Sequence, residues 1–292
     1  MRELEGKIAI VTGASRGIGE ATAERLASAG ATIIAAARSL GDEDDPRPDT
    51  LAYTLSQIRG RGGEAHAYKL DVADPASREA FMNAVLERFG RVDVLVNNAG
   101  IAGYGARTWE MPDKHFRRVF EIDLFAARDL CVRALPGMLE RGYGRIVNVS
   151  STVADRAAPN IEGPPYLDFH RNSGVAAYAA AKSALNLFTR TLAAELHGKG
   201  ISANTVAPVN SVMTRASREL IAAGTVSLDR FKAPEDPEVM AEAVLALCVG
   251  DPETQTGLTT YSGQYLAQIG REVRGRDGGP FDGHVTVESV KY

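Results

Sequence analysis

Short apolar runs alternate with longer amphipathic stretches along this chain. Lys7–Thr12 has the pattern of a buried strand, and Gly17–Ser28 that of a helix. The same alternation predicts a strand at Thr32–Ala37, a helix at Asp49–Arg59, a strand at Ala65–Leu70 and a helix at Pro75–Phe89. A fourth strand is expected at Val92–Val96, then one long helix over Pro112–Arg141 with a bend near Pro136. Arg145–Val149 reads as the fifth strand, Ala176–His197 as a long helix and Ser202–Val206 as the sixth strand. Pro237–Val249 reads as a late helix and Tyr265–Ile269 as a seventh strand. Strands rich in Val, Ile and Ala, each followed by a helix, predict an α/β chain with a parallel sheet covered on both faces. Right-handed crossovers then impose a doubly wound layout.

Three stretches break this rhythm. Leu40–Thr50 is acidic and carries two prolines, Asp155–Ser173 carries three, and Gly270–Tyr292 is polar and glycine-rich. They are expected to be loops or an arm. No linker divides the chain, so one domain is expected over 1–269, with an inserted loop at 155–173 and a tail or arm at 270–292.

Composition narrows the classes. The chain has 292 residues, 45% of them hydrophobic and 24% charged, which is ordinary for a globular protein with a full core. The formal net charge is −4 with the two signs interspersed, so nucleic acid is not an expected partner. No apolar run approaches a membrane span, and the first residues lack a signal-peptide pattern. Cys131 and Cys248 are expected to be isolated buried thiols, and a cytoplasmic location follows. The five histidines show no metal-ligand spacing, so no metal is expected.

Candidate chemistry begins after the first strand, with TGASRGIG at 12–19. Gly13 permits a tight turn, and Gly17 and Gly19 let backbone approach a pyrophosphate at the start of a helix. Ser15, Arg16 and Ile18 complete that loop. Free N–H groups at the helix start favour the anion. At the end of the second strand an NAD site carries an acidic residue, but here Ala37 is followed by Arg38. An arginine can grip a 2′-phosphate, so NADP(H) is favoured and NAD(H) remains possible. The acidic run Asp42–Asp45 argues the other way, since it could compete for Arg38. Asp71 and Val72 follow the third strand, where a carboxylate could accept from an adenine amino group. Asn98, Ala99 and Gly100 end the fourth strand and leave room for a ribose.

Tyr178 and Lys182 are four apart in a helical segment with alanines between them, which places both on one face. A phenol ordinarily ionises near 10. A fixed ammonium at about 4 Å favours phenolate by roughly 4 kcal/mol at an effective dielectric near 20. Such a pair is a workable acid–base device near neutrality. Ser150 and Ser151 end the fifth strand, at the carboxyl edge where ligands bind in such sheets, and a hydroxyl there can hold a carbonyl oxygen.

TGASRGIG at 12–19, NNAG at 97–100, GRIVNVSS at 144–151 and YAAAK at 178–182 occur in one order. With them the chain resembles the short-chain dehydrogenase/reductase family over about Leu4–Ile269. The resemblance implies a Rossmann-like fold and reversible hydride transfer between a nicotinamide coenzyme and a small-molecule carbonyl or alcohol. It implies that Tyr178 is the general acid/base, that Lys182 supports it and binds the ribose, and that Ser151 positions the substrate. Pro208 and Thr214 look like the family's segment around the nicotinamide. It also implies a homodimer or homotetramer built on the two long central helices. Steroids, sugars, acyl thioesters, terpenoid alcohols and quinones are all reduced on this scaffold, and the chain does not choose among them.

The departures are specific. Asp123 occupies the place of the family's fourth catalytic residue, usually asparagine, and could pair with Lys182. Val209 replaces the glycine after Pro208, and Thr214 falls one residue late. Ser151 and Tyr178 are 27 positions apart, about twice the usual gap, because of the insertion at 155–173. That insertion is expected beside the substrate pocket as a lid, with a remote surface excursion as the alternative. Two other functions stay open: a dinucleotide-binding regulator or scaffold without turnover, and reduction of an activated C=C bond, which the Tyr178–Lys182 spacing fits less well.

Overall fold

The computed structural model describes residues 2–102, 105–155, 174–224 and 234–288. In chain order the elements are β1 Ile8–Thr12, α1 Gly17–Ser28, β2 Thr32–Ala37, α2 Leu51–Gly60, β3 Ala65–Lys69, α3 Pro75–Phe89 and β4 Val94–Asn97. Then come α4 Asp113–Phe120, a π-helical turn Glu121–Phe125, α5 Ala126–Arg141, β5 Gly144–Val149 and a 3-10 turn Thr152–Asp155. α6 Ala176–Leu196, β6 Ile201–Ala207, α7 Arg215–Ala222, α8 Pro237–Val249, β7 Thr259–Tyr261 and α9 Ser262–Gln268 complete the order. The insertion expected at 155–173 falls, beyond Asp155, outside the described residues.

The strands form one seven-stranded parallel sheet in the order β3-β2-β1-β4-β5-β6-β7. Alternate residues of a strand point to opposite faces, and this sorts the core into two layers. Ala9, Val11, Ile33, Ala35, Val94 and Val96 pack on one face with α1, α2, α8 and α9. Ile10, Ile34, Leu95, Ile146 and Ala203 pack on the other with α3, α5 and α6. Both faces are covered, which is why the strands are continuously apolar. The chain winds in opposite senses on either side of the β1–β4 pair, leaving a crevice at their carboxyl ends.

Three elements differ from expectation. The seventh strand is Thr259–Tyr261, paired with Thr205–Ala207, and Tyr265 lies in the helix after it. A three-residue strand with two threonines carries almost no apolar signal, whereas Ser262, Gly263, Tyr265 and Leu266 are buried along one side of α9. The helix expected from Asp49 starts at Leu51, because Asp49 has a left-handed φ of 65° and Thr50 caps the helix through Tyr53 N–H. The long helix over 112–141 carries a π turn, closed by Ala126 N–H donating to Glu121 O, and α5 continues through Pro136.

Residues 270–288 lie back on the sheet-covering helices. Arg271 pairs with Glu242 and Glu3, while Arg276 pairs with Glu20, Glu24 and Glu238. Cys131 and Cys248 are free and buried, and burial pushes each thiol up to about 12. No helix among the described residues is long and apolar enough to cross a membrane.

Candidate active site

The glycine loop joins β1 to α1 at the crevice. Gly13 and Gly17 have φ of 68° and 60°, where side chains are strained. A Cβ on Gly19 would stand 2.3 Å from Gly13 O, so the loop and helix touch backbone to backbone. The loop is fixed from outside. Thr54 of α2 donates to Ala14 O at 2.8 Å. Thr12 Oγ1 accepts from Asn98 N and Ala99 N, each at 3.0 Å, and Asn98 Nδ2 donates to Thr12 O at 2.9 Å. Asn98 and Ala99 therefore brace the loop. The first turn of α1 has no side-chain cap at Arg16, which leaves its N–H groups without a side-chain acceptor from that residue. Bare backbone, a helix start and three glycines fit a dinucleotide pyrophosphate.

Around this cradle, Ser15 and Ile18 are half-buried and Arg16 is exposed. Arg38 is exposed beyond the buried Ala37. The acidic loop does not take Arg38: Asp45 pairs with Arg47 and Glu43 with Arg59, and Arg38 forms no ion pair among the described residues. Asp71 accepts from Ala73 N at 3.0 Å, and Asp74 caps α3 through Ala76 N. The Val72 carbonyl accepts from Arg78. On the far side, Pro208 and Val209 follow β6, and the Thr214 methyl lies 3.1 Å from where a Cβ on Gly17 would be. The Thr214 hydroxyl caps α7 by accepting from Ser217 N at 3.2 Å.

The titratable cluster sits next to this cleft. Lys182 Nζ donates to Val149 O at 2.8 Å and lies 3.3 Å from Asp123 Oδ1, and both side chains are almost wholly buried. Lys182 Nζ is 5.8 Å from the centre of the half-buried Tyr178 ring. The Asp123 carboxylate also accepts from Ile101 N at 3.2 Å. Burial pushes the Asp123 carboxyl up, and the Lys182 ammonium opposes that. A Cβ on Gly100 would lie 2.6 Å from Asp123 Oδ1, so that position leaves no room for a side chain. The π turn carries Asp123 to this spot, as such turns often do at functional sites. Ser151 is half-buried just past β5, its Oγ accepting from Val153 N at 3.4 Å.

Some contacts were not visible in the sequence pattern. Ser150 donates to Asn186 Oδ1 at 2.6 Å, and Asn97 Nδ2 donates to Asn148 Oδ1 at 2.8 Å. Asn186 is one turn past Lys182, and that spacing was the available signal. Glu235, which is buried and accepts from Val209 N, gave none.

A family model described as short chain dehydrogenase matches residues 7–222. The chain belongs to the short-chain dehydrogenase/reductase family. It is an NAD(P)-dependent oxidoreductase acting between carbonyl and alcohol. The 3-oxoacyl-acyl-carrier-protein reductase FabG of Vibrio cholerae is 35% identical over 267 residues, 90% of this chain and 99% of the relative. A 7alpha-hydroxysteroid dehydrogenase of Escherichia coli is 30% identical over 252 residues, 84% of this chain and 88% of the relative. Among solved structures, a metagenomic short-chain oxidoreductase in complex with NADP is 27% identical, with a TM-score of 0.69 over 89% of this chain and 98% of that one. A candidate NAD(P) dependent gluconate 5-dehydrogenase of Beutenbergia cavernae, with NADP bound at low occupancy, is 32% identical. Its TM-score is 0.71 over 91% of this chain and 99% of that one.

Proposed function

We propose that Tyr178 is the general acid/base of this oxidoreductase, protonating the substrate oxygen in reduction and deprotonating it in oxidation. The observation that carries this is the buried Asp123–Lys182 pair beside the glycine-loop crevice, with the Lys182 ammonium 5.8 Å from the centre of the half-buried Tyr178 ring. The Lys182 ammonium is held by Val149 O and Asp123 on the same helix face as Tyr178, where it would hold the ribose of the bound coenzyme. Ser151 holds the substrate oxygen. Asp123 anchors Lys182 and offsets part of its charge. When bound, the nicotinamide ring supplies or accepts the hydride. The loop 12–19, with Arg38, Asp71, Val72, Asn98, Ala99, Gly100, Pro208, Val209 and Thr214, would hold the coenzyme. We take 1–269 as the catalytic domain.

NADP(H) is the favoured coenzyme. Arg38 and Arg16 are exposed at the end of β2 and in the glycine loop, where a 2′-phosphate would lie. The NADP found in two solved relatives supports this reading. A cytoplasmic location fits two free, buried cysteines. Assembly with further copies of the chain is supported by Phe125, Val132 and Leu139, seven apart, and by Leu187, all exposed and apolar.

The test is a panel of carbonyls and alcohols, including 3-oxoacyl thioesters, hydroxysteroids and sugar acids, followed by nicotinamide absorbance with NADPH and NADH in parallel. With a responsive substrate, Tyr178→Phe should lower turnover by about 10²–10⁴-fold while coenzyme binding persists. Undiminished turnover in that variant would remove Tyr178 from the chemistry.

A further inference from the structure

One carboxyl beside the coenzyme cleft is enclosed completely and has no part in the proton transfer above. Glu235 is 0% exposed. Its Oε2 accepts from Val209 N at 3.0 Å and its Oε1 accepts from Ser262 Oγ at 2.5 Å. Its main chain holds the same segment. Glu235 N donates to Ser211 O at 2.9 Å, and Met213 N donates to Glu235 O at 2.8 Å, forming an isolated parallel bridge between Glu235 and Val212. One residue thus fastens 209–213, and that segment leads directly into Thr214 against Gly17. Val209, in the place of a glycine, is itself buried.

We propose that Glu235 is a positioning residue that fixes the segment Pro208–Thr214 against the coenzyme through Val209 and Ser262. This rests on the reading that the segment flanks the nicotinamide. A buried carboxylate without a cation is costly to keep, so its two donors must serve a geometry that an apolar side chain could not. The surrounding charges are committed elsewhere. Asp236 pairs with Arg218 of α7, Glu238 with Arg276, and Arg215 with Glu20 and Asp49. No cation pairs with Glu235 among the described residues, and Ser262 is its partner from α9.

The carboxyl is therefore expected to change charge near neutrality. Burial pushes it up to about 7 against the pull of Ser262 and Val209, and Asp236 adds to the rise. Ionised, it accepts from Val209 as a charged acceptor, which is roughly twice as strong as a neutral one. Protonated, it donates to Ser262, whose hydroxyl reverses, and its grip on Val209 weakens. Coenzyme binding should tighten as pH rises through neutrality. Glu235→Gln locks in the protonated pattern, since its amide oxygen accepts from Val209 and its NH₂ donates to Ser262.

The experiment is NADPH and NADH binding by fluorescence titration between pH 6 and 8.5, in the unaltered enzyme, Glu235→Gln and Ser262→Ala. At pH 8.5 the Kd of Glu235→Gln should exceed that of the unaltered enzyme by about fivefold. At pH 6 the two should converge, and kcat at saturating coenzyme should stay within about twofold. The 2′-phosphate of NADPH titrates in both proteins and cancels in the comparison. Should Glu235→Gln fail to fold, Ser262→Ala decides the matter: losing a donor to the carboxylate must move the midpoint of the pH dependence upward. Parallel profiles for Glu235→Gln and the unaltered enzyme, or an unmoved midpoint in Ser262→Ala, overturn the proposal while leaving the coenzyme reading intact. Absence of nucleotide binding by the unaltered enzyme overturns both.

Discussion

The Lys182 ammonium lies 3.3 Å from the Asp123 carboxylate, with each side chain all but excluded from water. In such a pair the carboxylate offsets part of the field that the ammonium would otherwise project onto Tyr178. An amide at 123 would keep the hydrogen-bonding shape and release that field. In Asp123→Asn, the pH profile of alcohol oxidation should therefore move toward lower pH. The measurement is the kcat/KM profile for a responsive alcohol between pH 6 and 10. Superimposable profiles would show that Asp123 does not speak to the phenol through Lys182.

Arg38 is exposed at the end of β2, and of the acidic residues after it Asp45 pairs with Arg47 and Glu43 with Arg59. A charge-assisted contact to a phosphate is worth about 1.5–3 kcal/mol. Arg38→Ser should thus raise the KM for NADPH by about 10–100-fold and leave that for NADH nearly unchanged. Equal losses with both nucleotides would assign Arg38 a structural part.

What could be read from the sequence follows a physical rule. The glycine loop and the Tyr178–Lys182 pair are each set by a few consecutive residues, so local spacing carried them. β7 escaped because its three residues, Thr259–Tyr261, show no apolar alternation. The π turn escaped because a single extra residue per turn leaves the amphipathic pattern of 112–141 nearly intact. Glu235 and Asn186 acquire partners only when the ends of β5 and β6 come together with α6, α9 and the segment before α8, and no window of sequence contains those contacts. Arg78 belongs with them, since its partners lie on three separate segments.

Arg78 is buried on α3 and donates to Val72 O, to Glu121 in the π turn and to Asp129 on α5. Against its own burial, Arg78 and Arg133 hold the Asp129 carboxyl below its usual range. Arg78→Met would take from Glu121 its Arg78 partner and leave Asp129 with Arg133 alone, although Glu121 retains some access to water. A loss of about 3 kcal/mol is expected, at the low end for breaking a buried pair. Denaturant unfolding at pH 7 measures it, and a loss below about 1 kcal/mol would reduce the network to a surface contact.

Phe125, Val132 and Leu139 recur every seventh residue from the π turn through α5, and Leu187 stands out on α6 at 59% exposed. Single exposed apolar residues are ordinary, but a row on one helix is suited to a second copy of the chain. Val132→Glu combined with Leu187→Glu should lower the mass seen by light scattering without loss of the far-ultraviolet helical signal. A monomer in the unaltered protein would contradict the assembly reading directly.

The Glu235 carboxyl also fixes the sign of a stability change with pH. Burial raises it to about 7 from 4.5. Below the unfolded value both states hold the proton, and the contribution to stability is fully present. As pH rises from about 4.5 towards 7, the unfolded chain releases its proton and the folded chain keeps it, so stability falls. Above 7 both are ionised and the loss levels off at about 3 kcal/mol. Glu235→Gln carries no such proton, so its stability relative to the unaltered protein should rise across that interval and plateau by pH 8. Urea unfolding at pH 5 and pH 8 reads the difference. An equal gap at both values would mean that Glu235 does not change charge over this range, and the proton-linked grip on Val209 would go with it.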